Sequence, residues 1–170
     1  MYIFPMMGLS QRFKDAGYKT QKYTLALWGR TVFEEVLLAF EKDFNREKFC
    51  FILREDQNSR SFVEDALKRI GLKNYNILEL SENTKGQAHT VVCAIKSLPL
   101  IDNEMLAIFN IDTVLKEFSV SKLEAGNYFQ VFDTEGDHWS FAQIESGKIT
   151  KTAEKQRISN HCSSGLYIFE

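Results

Sequence analysis

Four short apolar runs, Tyr2 to Met6, Phe49 to Leu53, Asn76 to Leu80 and Met105 to Phe109, alternate with segments whose apolar residues recur every three or four positions. Phe49-Cys50-Phe51-Ile52-Leu53 has no polar face, which a strand tolerates only when helices cover it on both sides. Thr31 and Glu34 form a capping-box pattern ahead of the stripe Phe33, Val36, Leu37 and Phe40. Ser61 and Glu64 repeat the pattern ahead of Phe62, Ala66, Leu67 and Ile70, and Gly71 stops that helix. Ala88, Val91, Val92 and Ile95 mark a third helix within Gly86 to Lys96. The resulting order, β-α-β-α-β-α-β, predicts an α/β fold with a mostly parallel sheet wrapped through right-handed crossovers. Ligands of such sheets gather at the carboxyl ends of the strands.

Pro5 puts the first strand close to a boundary or a break in pairing, and a long polar loop is expected after it. After Asp112 the pattern changes. Tyr128 to Phe132, Trp139 to Ile144 and Lys148 to Thr150 are separated by Glu135-Gly136-Asp137 and Ser146-Gly147, which predicts hairpins in a β-rich second half. With 170 residues, 44% of them hydrophobic, the chain can bury one substantial core. A single domain over 1–170 is expected, in two halves, 1–112 and 113–170. A net charge of −2 argues against non-specific nucleic-acid binding and toward a small partner. Cys50, Cys93 and Cys162 are widely spaced and lie in or beside apolar runs, the mark of buried thiols rather than of disulfides or zinc ligands. No signal peptide or membrane span is visible, so a cytoplasmic location is expected.

The first strand runs into Met7-Gly8-Leu9-Ser10, with Arg12 just beyond and Lys22 ten residues further on. This is a layout that can seat a nucleoside triphosphate. Gly8 lets the backbone approach a phosphate, successive N–H groups make an anion-binding nest, and Arg and Lys supply positive charge. By themselves Arg12 and Lys22 read equally well as solvated residues of a loop. Asp112 follows the strand Met105 to Phe109 and would stand at the same sheet edge, where a hard oxygen suits Mg²⁺ held between protein and triphosphate. A turn-forming or capping aspartate would look the same. Gly86 and Gln87 open a helix and offer room for a planar base and a group to read its edge, as would an ordinary helix entry.

The combination Pro-Met-x-Gly-Leu-Ser-x-Arg-Phe, Ala16-Gly17-Tyr18-Lys19, Lys22-Tyr23, Thr84-x-Gly86-Gln87-Ala88, Asn110-x-Asp112, Trp139-Ser140-Phe141-Ala142 and Ala153-Glu154-Lys155 covers nearly the whole chain. It resembles the nucleotidyltransferase (nucleoside-diphosphate-sugar pyrophosphorylase) family, in particular its bacterial capsule and surface-polysaccharide branch. The resemblance implies a three-layer α/β/α Rossmann-like fold, with a nucleotide-binding half (1–112) and an acceptor-binding half (113–170). It implies Mg²⁺-dependent transfer of a nucleoside monophosphate from CTP, UTP or dTTP to a phosphorylated acceptor, releasing pyrophosphate. The acceptor would be a sugar 1-phosphate or, in a cytidylyltransferase variant, a small non-sugar phosphate such as a phosphorylated amino acid or amide. Carried over by position, Met7, Gly8, Leu9 and Ser10 surround the nucleotide, Gly86 and Gln87 fall in the base-binding segment, and Arg12 and Lys22 take the phosphates. Asp112 holds the metal, and Glu154 and Lys155 hold the acceptor. No catalytic histidine is needed; His138, beside Trp139, is a candidate acceptor contact.

The chain departs from the family pattern at three places. Ser10 stands where many relatives have a second glycine, and Gln21 where they have a proline, which is expected to loosen the loop bearing Lys22. After Gly165-Leu166-Tyr167-Ile168-Phe169, relatives continue into further helices and a second acidic metal ligand, so this is either a compact member or one lacking that extension. A degenerate nucleotide-binding or regulatory module of the same fold is the other reading. The base, the acceptor and the oligomeric state, a homo-oligomer included, are left open.

Overall fold

In the computed structural model, which describes residues 1–56, 58–98 and 104–170, the first apolar run forms β1 (Tyr2–Met6) in the interior of the main sheet. β4 (Phe49–Arg54) pairs with β1 in parallel on one side and β6 (Leu106–Phe109) on the other, while β5 (Tyr75–Leu80) lies beyond β4. The chain thus leaves β1 in one direction to build β4 and β5 and returns to the opposite side for β6. That reversal is a topological switch point, and the crevice it opens lies at the carboxyl ends of β1 and β6. Pairing of β1 with β4 continues to Met6 and Leu53, but pairing with β6 covers only Tyr2 and Ile3. Pro5, lacking an N–H, sits where that ladder has stopped, as its position in the sequence implied.

Side-chain alternation sorts the apolar residues into two layers. Tyr2, Phe4, Met6, Phe49, Phe51 and Leu53 join the larger core, with Phe33, Val36 and Leu37 of helix α2 (Val32–Leu38), Phe40 just beyond it, and Val63, Ala66 and Leu67 of α3 (Ser59–Ile70). Ile3, Cys50, Ile52 and Ile108 face the other way, against Val91 and Ala94 of α4 (Gln87–Ile95). The helices therefore cover both faces, giving the expected three layers. Phe4 stands at the centre, its ring 5.3 Å from Phe51, 5.7 Å from Phe40 and 6.4 Å from Phe109. Burying each such ring is worth about 1.5–3 kcal/mol.

The capping box at Thr31 forms as expected: Thr31 Oγ1 accepts the Glu34 N–H at 3.3 Å, and Glu34 Oε2 accepts the Thr31 N–H at 2.8 Å. Arg69 Nε on α3 donates to the same carboxylate at 2.7 Å. The start expected from Ser61 and Glu64 is displaced. Asp56 accepts the N–H groups of Asn58 and Ser59 at 2.9 and 2.6 Å, so α3 begins three residues earlier than a cap at Ser61 implies, and Ser61 lies inside it. Gly71, at φ +79°, ends it as expected. The long polar loop expected after β1 is also more structured than its composition suggests. It contains a short helix α1 (Gln11–Asp15), a 3₁₀ turn (Lys22–Thr24) and a small hairpin of β2 (Ala26–Leu27) and β3 (Arg30–Thr31).

The second half contains β7 (Tyr128–Asp133), β8 (Ser140–Glu145), β9 (Lys148–Glu154) and β10 (His161–Phe169). β8 and β9 make the expected hairpin over Ser146-Gly147, both at positive φ. The hairpin expected over Glu135-Gly136-Asp137 is replaced by a different pairing: Cys162 of β10 lies opposite both Phe132 of β7 and Phe141 of β8. The same strand runs on, antiparallel, along β6 from Leu166 to Phe169. The segment between β6 and β7 is fastened by the buried Asp43, which accepts from Tyr2 Oη, from Ser119 Oγ at 2.7 Å and from the Val120 N–H at 3.2 Å. Burial, and then that carboxylate, push the Tyr2 hydroxyl far above its usual pKa. Among the described residues no helix is long and apolar enough to cross a membrane.

Candidate active site

The carboxyl end of β1 delivers Met7, Gly8 and Leu9 onto the switch-point crevice. A Cβ at Gly8 would meet nothing within 4 Å, so its contribution is open space in front of the backbone. Ser10 takes the left-handed conformation instead, at φ +51°, which explains why a glycine suits that position. It starts α1 by accepting the N–H groups of Phe13 and Lys14 at 2.9 and 3.1 Å. The backbone of Arg12 lies on this helix; its side chain falls outside the described residues.

Ser10 Oγ also donates to Gln21 Oε1 at 3.1 Å. Two of the three departures from the family pattern thus contact each other, and this bond ties the loop that Gln21 was expected to loosen. Gln21 itself stands at φ −67° and ψ 142°, the region a proline would impose. The following 3₁₀ turn carries Lys22 and is anchored by Tyr23, whose buried hydroxyl lies 2.9 Å from Ser59 Oγ. Burial raises the Tyr23 pKa, so this hydroxyl stays protonated near neutrality.

From that turn Lys22 Nζ donates to Asp112 Oδ2, across ninety positions of sequence. Both side chains border a hollow of about 230 Å³ with Gly8, Ser10 and Asn110. On the side of α4 a hollow of about 460 Å³ continues past Met7, Gly8, Leu9, Gly86 and Gln87. Gly86 stands at φ +139°, and the buried Thr90 fixes this turn by donating to the Gly86 carbonyl at 3.1 Å and meeting Thr84 Oγ1 at 2.6 Å. Gln87 Nε2 donates to Asn110 Oδ1 at 2.7 Å, so its amide nitrogen is engaged by the protein. Arg54, at the end of β4, donates to the Met7 carbonyl at 3.1 Å and to Asn83 Oδ1 at 2.6 Å, bringing a further cation to this hollow.

On the other side a hollow of about 510 Å³ borders Asp112, Trp139, Glu154 and Lys155. β9 ends at Glu154, which accepts from Ser140 Oγ, and Lys155 leaves the strand at φ +53° with its Nζ 3.5 Å from the Glu154 carboxylate. The Lys155 N–H donates to the Trp139 carbonyl at 2.9 Å, pinning the turn to β8. His138 lines the same hollow, its ring 4.6 Å from that of Trp139. Asp112 borders both this hollow and the central one, and Gly8 and Asn110 border both the central one and that beside α4, so the three adjoin along one cleft.

Every residue selected from the sequence whose side chain is described borders this cleft. Arg54 and Gly165, which also border it, were not selected. Arg54 follows an apolar run as an ordinary strand-end cation would, whereas Gly165 was visible only as part of a strand motif. Among the described residues there is no group of three or more His, Cys, Asp and Glu side chains able to hold a metal by themselves. Asp112 contributes one hard oxygen, a donor set that fits magnesium only in the shared mode in which phosphate oxygens and water complete the shell.

The chain is similar to the nucleoside-diphosphate-sugar pyrophosphorylase from Vibrio cholerae RC9, at 37% identity and a TM-score of 0.86 over 99% of this chain and 72% of that one. It shares its fold with the inositol-1-phosphate CTP transferase from T. maritima, at 16% identity and a TM-score of 0.79 over 99% of this chain and 69% of that one. A UDP-glucose pyrophosphorylase solved with UDP-glucose aligns at 18% identity and a TM-score of 0.73 over 99% and 74% of the two chains. No protein-family model and no curated protein matches the sequence. A relative this close, matched along almost the whole chain and carrying the same sheet, means that the protein belongs to the nucleoside-diphosphate-sugar pyrophosphorylase family of nucleotidyltransferases.

Proposed function

We propose that this protein transfers a nucleoside monophosphate from CTP, UTP or dTTP to a phosphorylated small-molecule acceptor and releases pyrophosphate. The observation that carries the reading is the meeting of Lys22 and Asp112 in the middle of one cleft, between a hollow beside Gly86 and a hollow beside Lys155. The base would occupy the first hollow, with the phosphates over Gly8 and Ser10. The acceptor would occupy the second, with Glu154 taking hydroxyls and Lys155 the phosphate.

An oxygen of the acceptor phosphate attacks the α-phosphorus, a new P–O bond forms, and the bond to the bridging oxygen of pyrophosphate breaks in line. The nucleophile is already ionised near neutral pH, so no side chain need remove a proton. The task is to hold two polyanions together and to offset the charge on the transferring group. Lys22 and Arg12 would neutralise phosphate oxygens, and Lys22 must exchange its present partner Asp112 for the triphosphate. Asp112, so released, would hold magnesium, which supplies further charge neutralisation at the phosphates when bound.

Synthesis of precursors for capsule or surface polysaccharide, in the cytoplasm where triphosphates are made, is the setting proposed for this reaction. The test is pyrophosphate release from each triphosphate with a panel of sugar 1-phosphates and small non-sugar phosphates, with and without Mg²⁺. Turnover with one pair that is lost on chelation supports the reading. Saturable nucleotide binding with no product under any pairing would instead make the protein a binding module.

A further inference from the structure

Among the described residues, Asn110 alone borders all three hollows of the cleft. Its side chain is held from two directions. Oδ1 accepts Nε2 of Gln87 at 2.7 Å, which ties it to α4 on the base side. Against its other face lies Gly165 of β10, where the register with β7 shifts between Ser163 and Tyr167. A Cβ on Gly165 would lie 2.8 Å from Asn110 Cγ and 3.1 Å from its Cβ, and closer still to Nδ2. Position 165 is therefore glycine for two separable reasons: its φ of +86°, which any side chain would strain, and the absence of room beneath Asn110.

We propose that Asn110, seated on Gly165, is a positioning residue for nucleotidyl transfer. It fixes the base-side helix α4 to the acceptor-side strand β10, and so sets the distance between the α-phosphorus and the attacking phosphate. The proposal rests on the transfer reading above. In that reading the two substrates are held by different halves of the sheet, and reactivity requires an approach of about 3–3.5 Å in line. A shift of about 1 Å costs on the order of 100-fold in rate. Asn110 is two residues from Asp112 and contacts both halves, so a change in its seat displaces substrates relative to each other without removing a group that binds either one.

The experiment is a double-mutant cycle of Asn110→Ala and Gly165→Ala, with kcat and both KM values measured at the best triphosphate and acceptor pair, and thermal unfolding measured alongside. Asn110→Ala is expected to lower kcat about 100-fold while both KM values stay within about threefold. Gly165→Ala is expected to lower kcat similarly in the wild-type background but no more than about threefold on top of Asn110→Ala, because the new methyl then has room. Its backbone strain should lower the unfolding temperature in both backgrounds, and the clash should add to that fall only where Asn110 is present. A structural role alone would instead make the loss of kcat in each variant track its loss of folded protein, which overturns the proposal. Should Gly165→Ala fail to fold, Asn110→Ala decides alone, through kcat read against both KM values and against the unfolding temperature. Additive factors, or an Asn110→Ala enzyme within threefold of wild-type kcat, overturn the proposal. Turnover in the wild type with an additive cycle sinks the positioning role alone, whereas no turnover with any pair sinks the transfer reading and this one with it.

Discussion

Replacing Lys22 by methionine separates what the Lys22–Asp112 pair does for the fold from what it does for substrate. The two side chains are 32% and 36% exposed, so the pair is close to a surface ion pair in energy. Such pairs contribute about 0.2–1 kcal/mol, since high dielectric and the entropy of two mobile side chains offset the attraction. For a chain of this size a loss of 1 kcal/mol lowers the unfolding temperature by about 2–4 °C, and methionine retains the apolar stem. The effect on transfer should be larger. A hydrogen bond from a charged donor to phosphate is worth about 1.5–3 kcal/mol, which at 1.4 kcal/mol per decade is roughly 10- to 150-fold in kcat/KM. The uncompensated Asp112 carboxylate would also repel the triphosphate. Steady-state pyrophosphate release and thermal unfolding on the same preparations read both quantities. A kcat/KM within about twofold of wild type, or a fall in unfolding temperature beyond about 5 °C with activity lost in proportion, refutes the reasoning and makes the lysine a structural element.

Gln21→Pro should leave the unfolding temperature within a few degrees of wild type, because a compatible φ gains about 0.4–1 kcal/mol through the unfolded chain and loss of the Ser10 bond costs about 0.5–1.5 kcal/mol; a large loss in calorimetry would contradict the backbone assignment. Asp43→Ala should destabilise by about 1–3 kcal/mol, since the buried Tyr2 and Ser119 hydroxyls lose their acceptor, and limited proteolysis should then cut within residues 113–127. Burial pushes the Cys50 thiol up to about 12 and Cys162 is buried as well, so an aromatic disulfide reagent at pH 8 should titrate Cys93 first, with the other two reacting only on unfolding. At Glu34, burial favours the neutral acid, but the Thr31 N–H and Arg69 together outweigh it and hold the pKa below the usual carboxylate value. A pKa lowered in the fold contributes stability above the unfolded-state pKa and loses it as pH falls through the folded one. Glu34→Gln should therefore narrow the gap in unfolding temperature between neutral pH and the acid range; an unchanged gap would count against this assignment.

What was legible in the sequence was whatever local chemistry dictates. Thr31 and Glu34 are three residues apart and close their box with no help from the rest of the chain, and Gly71 ends α3 because few other residues tolerate its φ. Gly8, Lys22 and Asp112 could be placed on one sheet edge because the order of strands and helices decides which strand ends point the same way. Ser61 misled because Asp56, five residues upstream, starts the helix earlier by accepting the N–H groups of Asn58 and Ser59, and nearest-neighbour spacing cannot rank two competing caps. The pairing of β7 and β8 with β10 was hidden because strand partners distant in sequence are chosen by the whole sheet. The same is true of Arg54 and of the contact between Asn110 and Gly165, which arise where remote segments converge.

β10 has a consequence for how the protein is made. It is the strand through which β6 is joined to β7 and β8, and it follows all of them in chain order. During synthesis the backbone edge of β6 consequently stays open while the second half of the chain is being added, on the order of seconds at ordinary elongation rates. A nascent chain in that state presents an unpaired parallel layer that invites strand exchange with a neighbouring copy. Until β10 is laid in place, the nucleotide-side half stands as a sheet with an unprotected rim, and its quality on the ribosome is a matter of timing as much as of free energy.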